Sequence, residues 1–178
     1  MITPGRIAAP TLIHNPFIRD IALLPSPYRE FIQNKEVFFA SDNGNRFKAT
    51  ASPFPTNRIN WNMATIEVYD ISSDSFVGFL DLRDLSKLSS GFYDIYGAAL
   101  RVEEYYTKNF KGLGSALLSF ALSLSWAAGQ DTFFVVNSIA DQFYEKHGFT
   151  RKNLITLTKP VTLENISPIQ VFGIINRS

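Results

Sequence analysis

Cysteine is absent from the 178 residues. That excludes disulfides, thiolate metal sites and a cysteine nucleophile. Histidine is almost as scarce: His14 and His147 are the two in the chain, too far apart in sequence for a short-range metal motif. No charge of one sign accumulates. Lysine and arginine total 17, aspartate and glutamate 16, for a net charge of +1. No basic field therefore argues for nucleic acid, and there is no acidic tail. A long hydrophobic run is missing too. The longest apolar stretch, residues 113–128, is interrupted by four serines, and at roughly 16 residues it falls short of the ~20 that span a bilayer. The first residues, Met1 to Arg6, lack the charged region and apolar run of a signal peptide. A cytoplasmic location is expected, with no membrane and no nucleic acid as partner.

What is present is the composition of a soluble globular protein, 46% hydrophobic and 19% charged, and a length that fits one domain with a sizeable core. Residues 1–35 hold five prolines and read as irregular. One short helix is predicted over 27–33, with Ser26 as its cap and Pro27 at the first helical position. Residues 36–40 read as a strand, 42–45 as a turn and 46–50 as the returning strand. Residues 52–58 read as loop. The alternation of Ala64, Ile66, Val68 and Asp70 with Thr65, Glu67, Tyr69 and Ile71 predicts a second hairpin, returning over 76–82. Residues 84–91 form a polar connection. A third strand is predicted over 93–103, with Ala98, Leu100 and Val102 on one face. Then come a helix (112–128), a strand (132–136), a helix (138–147), a strand (149–158) and a last strand (169–175). The order describes an α+β fold, a mixed sheet with helices.

Chemistry concentrates between Arg101 and Phe149. Gly112 and Gly114 flank Leu113 where a strand gives way to a helix. Helix N-termini present unpaired N–H groups and partial positive charge, and missing side chains let a diphosphate approach them. Lys111 adds charge beside them. The turn is not a nucleotide-triphosphate P-loop, because no G-x-x-x-x-G-K-[ST] occurs. It is not the dinucleotide fingerprint either, because position 117 is leucine. Leu113, Leu117, Phe120, Ala121, Leu124 and Ala128 follow the helical period of a core face, with serines 115, 119, 123 and 125 mostly on the other side. Tyr144 ends a short helix that stops at Gly148, and its hydroxyl is a candidate proton donor or the polar tip of a core aromatic. Glu103 and Glu104 end the third strand on opposite faces; either is a candidate general base or a solvated carboxylate. His147 reads as an exposed residue in a last helical turn.

Residues Asn109-Phe110-Lys111-Gly112-Leu113-Gly114-Ser115 resemble the acyl-CoA-binding segment of the GNAT superfamily, (Gln/Arg)-x-x-Gly-x-(Gly/Ala). Asn137-x-x-Ala140-x-x-Phe143-Tyr144-Glu145-Lys146-x-Gly148-Phe149 is similar to the segment that follows it in that superfamily. The resemblance covers 93–158 well and 1–61 hardly at all. It implies a splayed mixed β-sheet flanked by helices, in a single acyltransferase domain over 1–178. Within it, 93–158 is the acyl-CoA-binding core and 1–61 a divergent acceptor-side region. It implies acetyl-CoA as co-substrate and no metal. Phe110, Lys111, Gly112, Leu113, Gly114 and Ser115 would hold the pyrophosphate, with Asn109 at its edge. Backbone groups of Leu100, Arg101 and Val102 would meet the pantetheine arm, and Asn137 would face it. Tyr144 would protonate the departing thiolate. Position 109 departs from the pattern, and the connection from Val102 to Gly112 is longer than usual. The implied activity is N-acetyl transfer to a primary amine by direct attack, the acceptor being an amine-bearing small molecule or peptide, with a homodimer compatible. A non-catalytic CoA-binding module, or a transferase for longer acyl groups, are the alternatives.

Overall fold

The N-terminal half of the sheet is an antiparallel meander, and its hydrophobic alternation accounts for it. The computed structural model describes residues 19–52, 63–84, 95–136, 138, 140–166 and 175–176. Strands β1 (Glu36–Ala40), β2 (Arg46–Ser52), β3 (Met63–Asp70), β4 (Ser75–Asp84) and β5 (Ile95–Val102) pair in sequence order, each antiparallel to the next. Ala64, Ile66 and Val68 are buried with Leu80 and Leu82, and the alternate residues face outward. At Gly78 a Cβ would stand 2.4 Å from the Arg101 carbonyl oxygen, so only glycine lets β4 lie this close to the end of β5. The second half adds β7 (Thr132–Val136), β8 (Thr150–Arg151) and β9 (Thr156–Pro160), giving the order β1-β2-β3-β4-β5-β7-β9-β8. Between β5 and β7 in the chain lies β6 (Phe110–Lys111), which pairs separately with β10 (Ile175–Asn176).

One face of the sheet carries the core. Helix α1 (Tyr28–Asn34) and the long helix that follows β6, here α3 (Leu113–Ala127), pack together on it. Phe120 joins them: its ring centroid lies 4.8 Å from that of Phe31, 5.2 Å from Tyr28 and 5.6 Å from Phe39 of β1. Beyond its first turn α3 is buried on every side, so the serines do not form an outward face. Ser119, Ser123 and Ser125 are all buried; two satisfy their hydroxyls on the helix's own carbonyls, Ser119 on Ser115 and Ser123 on Phe120.

Several sequence expectations need correction. Ser26 does not cap α1. Pro27 holds the N-cap position, and the Ser26 hydroxyl donates to Glu30 at 2.8 Å. The third strand stops at Val102. Glu103 and Glu104 are not strand residues on opposite faces: Glu103 is the N-cap of α2 (Glu104–Asn109), a helix of six residues. The next helix, α4 (Asp141–Lys146), starts three residues after 138. The expected strand 149–158 is a hairpin, β8 and β9, because Asn153 turns the chain by accepting the Ile155 N–H on its side chain. Residues 53–62, 85–94 and 167–174, which hold the expected loops and most of the last strand, lie outside the described residues. Among the described residues no helix is long and apolar enough to cross a membrane.

Candidate functional site

The site begins with a strand pair that stops early. β5 and β7 are the parallel neighbours in the sheet, and they are joined over only two residue pairs, Tyr96 with Phe134 and Gly97 with Val135. From residue 98 to 102 the edge of β5 that faces β7 has no strand partner among the described residues, and presents N–H and C=O groups that no β7 residue meets. A bulge lies at the same place: the β4–β5 register shifts between Asp81 and Leu82, leaving Ala98 as the extra residue.

A cavity of about 620 Å³ fills the opening, within the range of small-molecule sites. Its wall includes Leu100 and Val102 of β5, Gly112 and Gly114 at the start of α3, and Phe143 and Tyr144 of α4. The start of α3 is open. Gly112 is its N-cap with φ of 99°, a conformation that glycine adopts freely and other residues do not. No side chain caps the helix and no acidic residue sits in its first turn. The first intrahelical bond runs from Ala116 N–H to Gly112 O, so the N–H groups of Leu113, Gly114 and Ser115 have no partner within the helix. Fifteen residues of aligned peptide dipoles stand behind them. Lys111 is exposed at the same rim.

Among the described residues two tyrosines line the cavity, and they differ in what their hydroxyls do. Tyr106 of α2 donates to Asp70 Oδ2 at 2.8 Å. Asp70 also accepts from the Ser72 backbone and hydroxyl. Burial pushes the Asp70 carboxyl up, but the hydrogen bonds from Ser72, Tyr106 and Ser73 together outweigh it and hold it below its ordinary value. A depressed carboxylate stabilises the fold above its unfolded-state value, and that stability is lost as pH falls through the folded value. Tyr106→Phe should therefore cost about 1 kcal/mol at neutral pH and flatten the acid limb of stability against pH; denaturant unfolding at several pH values checks both. Tyr144 is buried, and its hydroxyl makes no hydrogen bond among the described residues. Burial alone pushes it up to about 12, so it stays protonated at neutral pH.

The other expected site residues divide. Leu100, Val102, Phe110, Lys111, Gly112, Leu113 and Gly114 come together with Tyr144 around the cavity. Arg101 points away: its side chain is exposed and pairs with Glu103 at 3.3 Å. Asn109 folds back on α2, donating to the Tyr105 carbonyl at 2.7 Å. Glu104 is exposed and pairs with Lys108 at 3.6 Å. Neither Glu103 nor Glu104 is on the cavity wall. Asn137 lies outside the described residues. Ser115 faces a second cavity of about 680 Å³ on the other side of the glycine turn, and there His147 corrects its expected exposure. His147 is half-buried; its Nδ1 lies 2.8 Å from the Phe143 carbonyl and its Nε2 2.7 Å from Ser115 Oγ. A carbonyl only accepts, so Nδ1 carries a proton and donates it to Phe143, while Nε2 and the Ser115 hydroxyl share the second hydrogen bond. Sequence reasoning missed both links; the one to Ser115 joins residues 32 apart, and the one to Phe143 lies within a single helical turn.

No protein-family model matches the chain, and no curated protein matches it in sequence. Similar solved structures include a GNAT-family protein from Desulfovibrio desulfuricans, 19% identical over 57% of this chain and 70% of that one, with a TM-score of 0.47. AtaTR bound with AcCoA is 20% identical over 60% and 73%, with a TM-score of 0.46. Naa50 from Arabidopsis thaliana, in complex with the bisubstrate analogue CoA-Ac-MVNAL, is 24% identical over 53% and 71%, with a TM-score of 0.41.

Proposed function

We propose that the chain is an N-acetyltransferase that moves an acetyl group from acetyl-CoA to a primary amine by direct attack, with 93–158 as its acyl-CoA-binding core. The observation that carries this reading is the β5–β7 opening. It offers an unpaired strand edge for an amide-bearing arm, and its cavity is continuous with an uncapped helix start suited to a diphosphate. The GNAT-like motifs in the sequence supply the same residues independently.

Acetyl-CoA brings an activated thioester, a diphosphate and an arm with two amide groups. The N–H groups of Leu113, Gly114 and Ser115 would hold the diphosphate, with Lys111 beside it. The free backbone edge of Leu100 to Val102 would pair with the arm, and an N–H of that edge would polarise the thioester carbonyl. Tyr144 would give its proton to sulfur as the C–S bond breaks, then recover one from solvent. Thiol and hydroxyl share the same apolar cavity, and burial that raises Tyr144 raises the thiolate's basicity as well. No covalent intermediate with the protein is needed.

A specific observation favours one second reading, a non-catalytic acyl-CoA-binding module: neither strand-end carboxylate lines the cavity. The two readings part in one assay. Purified protein is incubated with acetyl-CoA and peptides with free N-termini, lysine, polyamines, aminoglycosides or amino acids, and free thiol is followed. Transfer predicts thiol release that depends on at least one class of amine. Tight acetyl-CoA binding with no amine-dependent release would leave the module.

A further inference from the structure

Direct transfer requires that an ammonium lose a proton, and neither carboxylate after β5, Glu103 or Glu104, is on the cavity wall. We propose that Asp81 of β4 is the acceptor-side carboxylate, binding the incoming ammonium and receiving its proton; this rests on the transferase reading above. Asp81 is the direct cross-strand partner of Ala99, which is exposed and lines the cavity. Cross-strand partners share a face, with Cβ atoms about 4.5–5.5 Å apart. Asp81 is not itself on the cavity wall, but this pairing sets it next to a residue that is, on the sheet face opposite the helices. The bulge at Ala98, one residue away, turns the β5 backbone there.

The side chain is held in place but not used up. Thr65 Oγ1, from the facing residue of β3, donates to Asp81 Oδ1 at 2.6 Å. Oδ2 makes no hydrogen bond among the described residues; the Arg83 guanidinium stands 3.9 Å from it. The side chain is only 20% exposed, so an ammonium arriving there meets a largely desolvated anion. Among the described residues, the charges on this face of the two strands next to Asp81 and on its own strand are Glu67 on β3, Arg83 on β4 and Arg101 on β5, which is paired with Glu103; Arg46 and Lys48 lie farther off on β2. The acceptor class that fits is a primary amine that arrives as a cation. Its proton passes to Asp81, directly or through one water, and then to solvent. The neutral amine attacks the thioester carbonyl, and the electron pair of the broken C–S bond leaves on sulfur, where Tyr144 protonates it.

The test uses Asp81→Asn, which keeps the oxygen that Thr65 donates to, with propylamine as acceptor probe and thiol release as readout. General-base losses run 10²–10⁴-fold, and solvent competes for the proton here, so kcat/KM should fall about tenfold or more. The acidic limb of its pH profile should disappear, Asp81→Glu should restore part of the rate, and acetyl-CoA affinity by calorimetry should stay within about twofold. An Asp81→Asn profile that keeps its acidic limb overturns the inference, whether or not the rate falls, since a fall alone would mean lost β3–β4 packing. Loss of the limb in Glu103→Gln instead returns the base to the end of β5 and overturns it too. If wild-type protein binds acetyl-CoA yet releases no thiol with any amine, the transferase reading fails, and this inference with it.

Discussion

Tyr144→Phe should lower kcat about 10- to 100-fold while acetyl-CoA affinity hardly changes. General-acid loss costs 10²–10⁴ in rate, and a thiolate is a fair leaving group, so the low end or below applies. The substitution keeps the ring, which packs at 5.2 Å from Phe143 and 5.3 Å from Phe149. It also strands no partner, because the hydroxyl has none among the described residues, so the fold should survive. Tyr106→Phe is the contrast: it removes a hydroxyl that already donates to Asp70, so it should cost stability more than turnover. Burial pushes the Tyr144 hydroxyl up to about 12, above the ordinary tyrosine value of 10.0. Alkaline loss of the donor should therefore fall outside the range where the free amine forms. A Phe variant with full kcat, measured where chemistry limits the rate, would make Tyr144 a core aromatic.

Gly114→Asp should weaken acetyl-CoA binding at least 30-fold, about 2 kcal/mol. A Cβ at Gly114 meets the Phe143 ring at 3.4 Å and Leu100 at 3.9 Å, ordinary contacts for that atom. An aspartate in the first turn of a helix is electrostatically favoured in the free protein, so folding should tolerate it. The same charge repels a diphosphate over the same N–H groups. Gly112 is the worse choice for this test, since its φ of 99° would add backbone strain to any side chain. Gly114→Ala separates charge from volume: it should lose far less affinity than Gly114→Asp.

The elements with strong periodicity were readable from the chain. Strand β1 and strand β7 match the expected spans, and α3 differs by a residue at each end of 112–128. The alternation from Ala64 to Asp70 assigned the buried face of β3 correctly. Short elements were not readable, because tertiary contacts decide them. Helix α2 has six residues and little apolar period; Tyr106 alone is buried, tied to Asp70 across 36 positions. The serines of α3 look like a polar face in sequence. The helix is instead covered on all sides and bonds two of those hydroxyls internally.

The candidate site was legible in part. Glycine spacing and Tyr144 pointed to residues that do meet at one cavity. Where a carboxylate stands relative to the cavity was not readable from sequence, because spacing along a strand says nothing of register across it. Asp81 looks like any outward strand residue until its pairing with Ala99 is known. His147 looks like a solvated helix end until Ser115 is found 2.7 Å away.

Titration of acetyl-CoA into the purified protein by calorimetry tests the central claim most directly, that the β5–β7 opening and the start of α3 form one acyl-CoA site. The account predicts saturable binding of one acetyl-CoA per chain, weakened at least 30-fold, about 2 kcal/mol, by Gly114→Asp and left nearly unchanged by Tyr144→Phe. Absence of saturable binding to folded wild-type protein, or equal affinity in the Gly114→Asp variant, would contradict it.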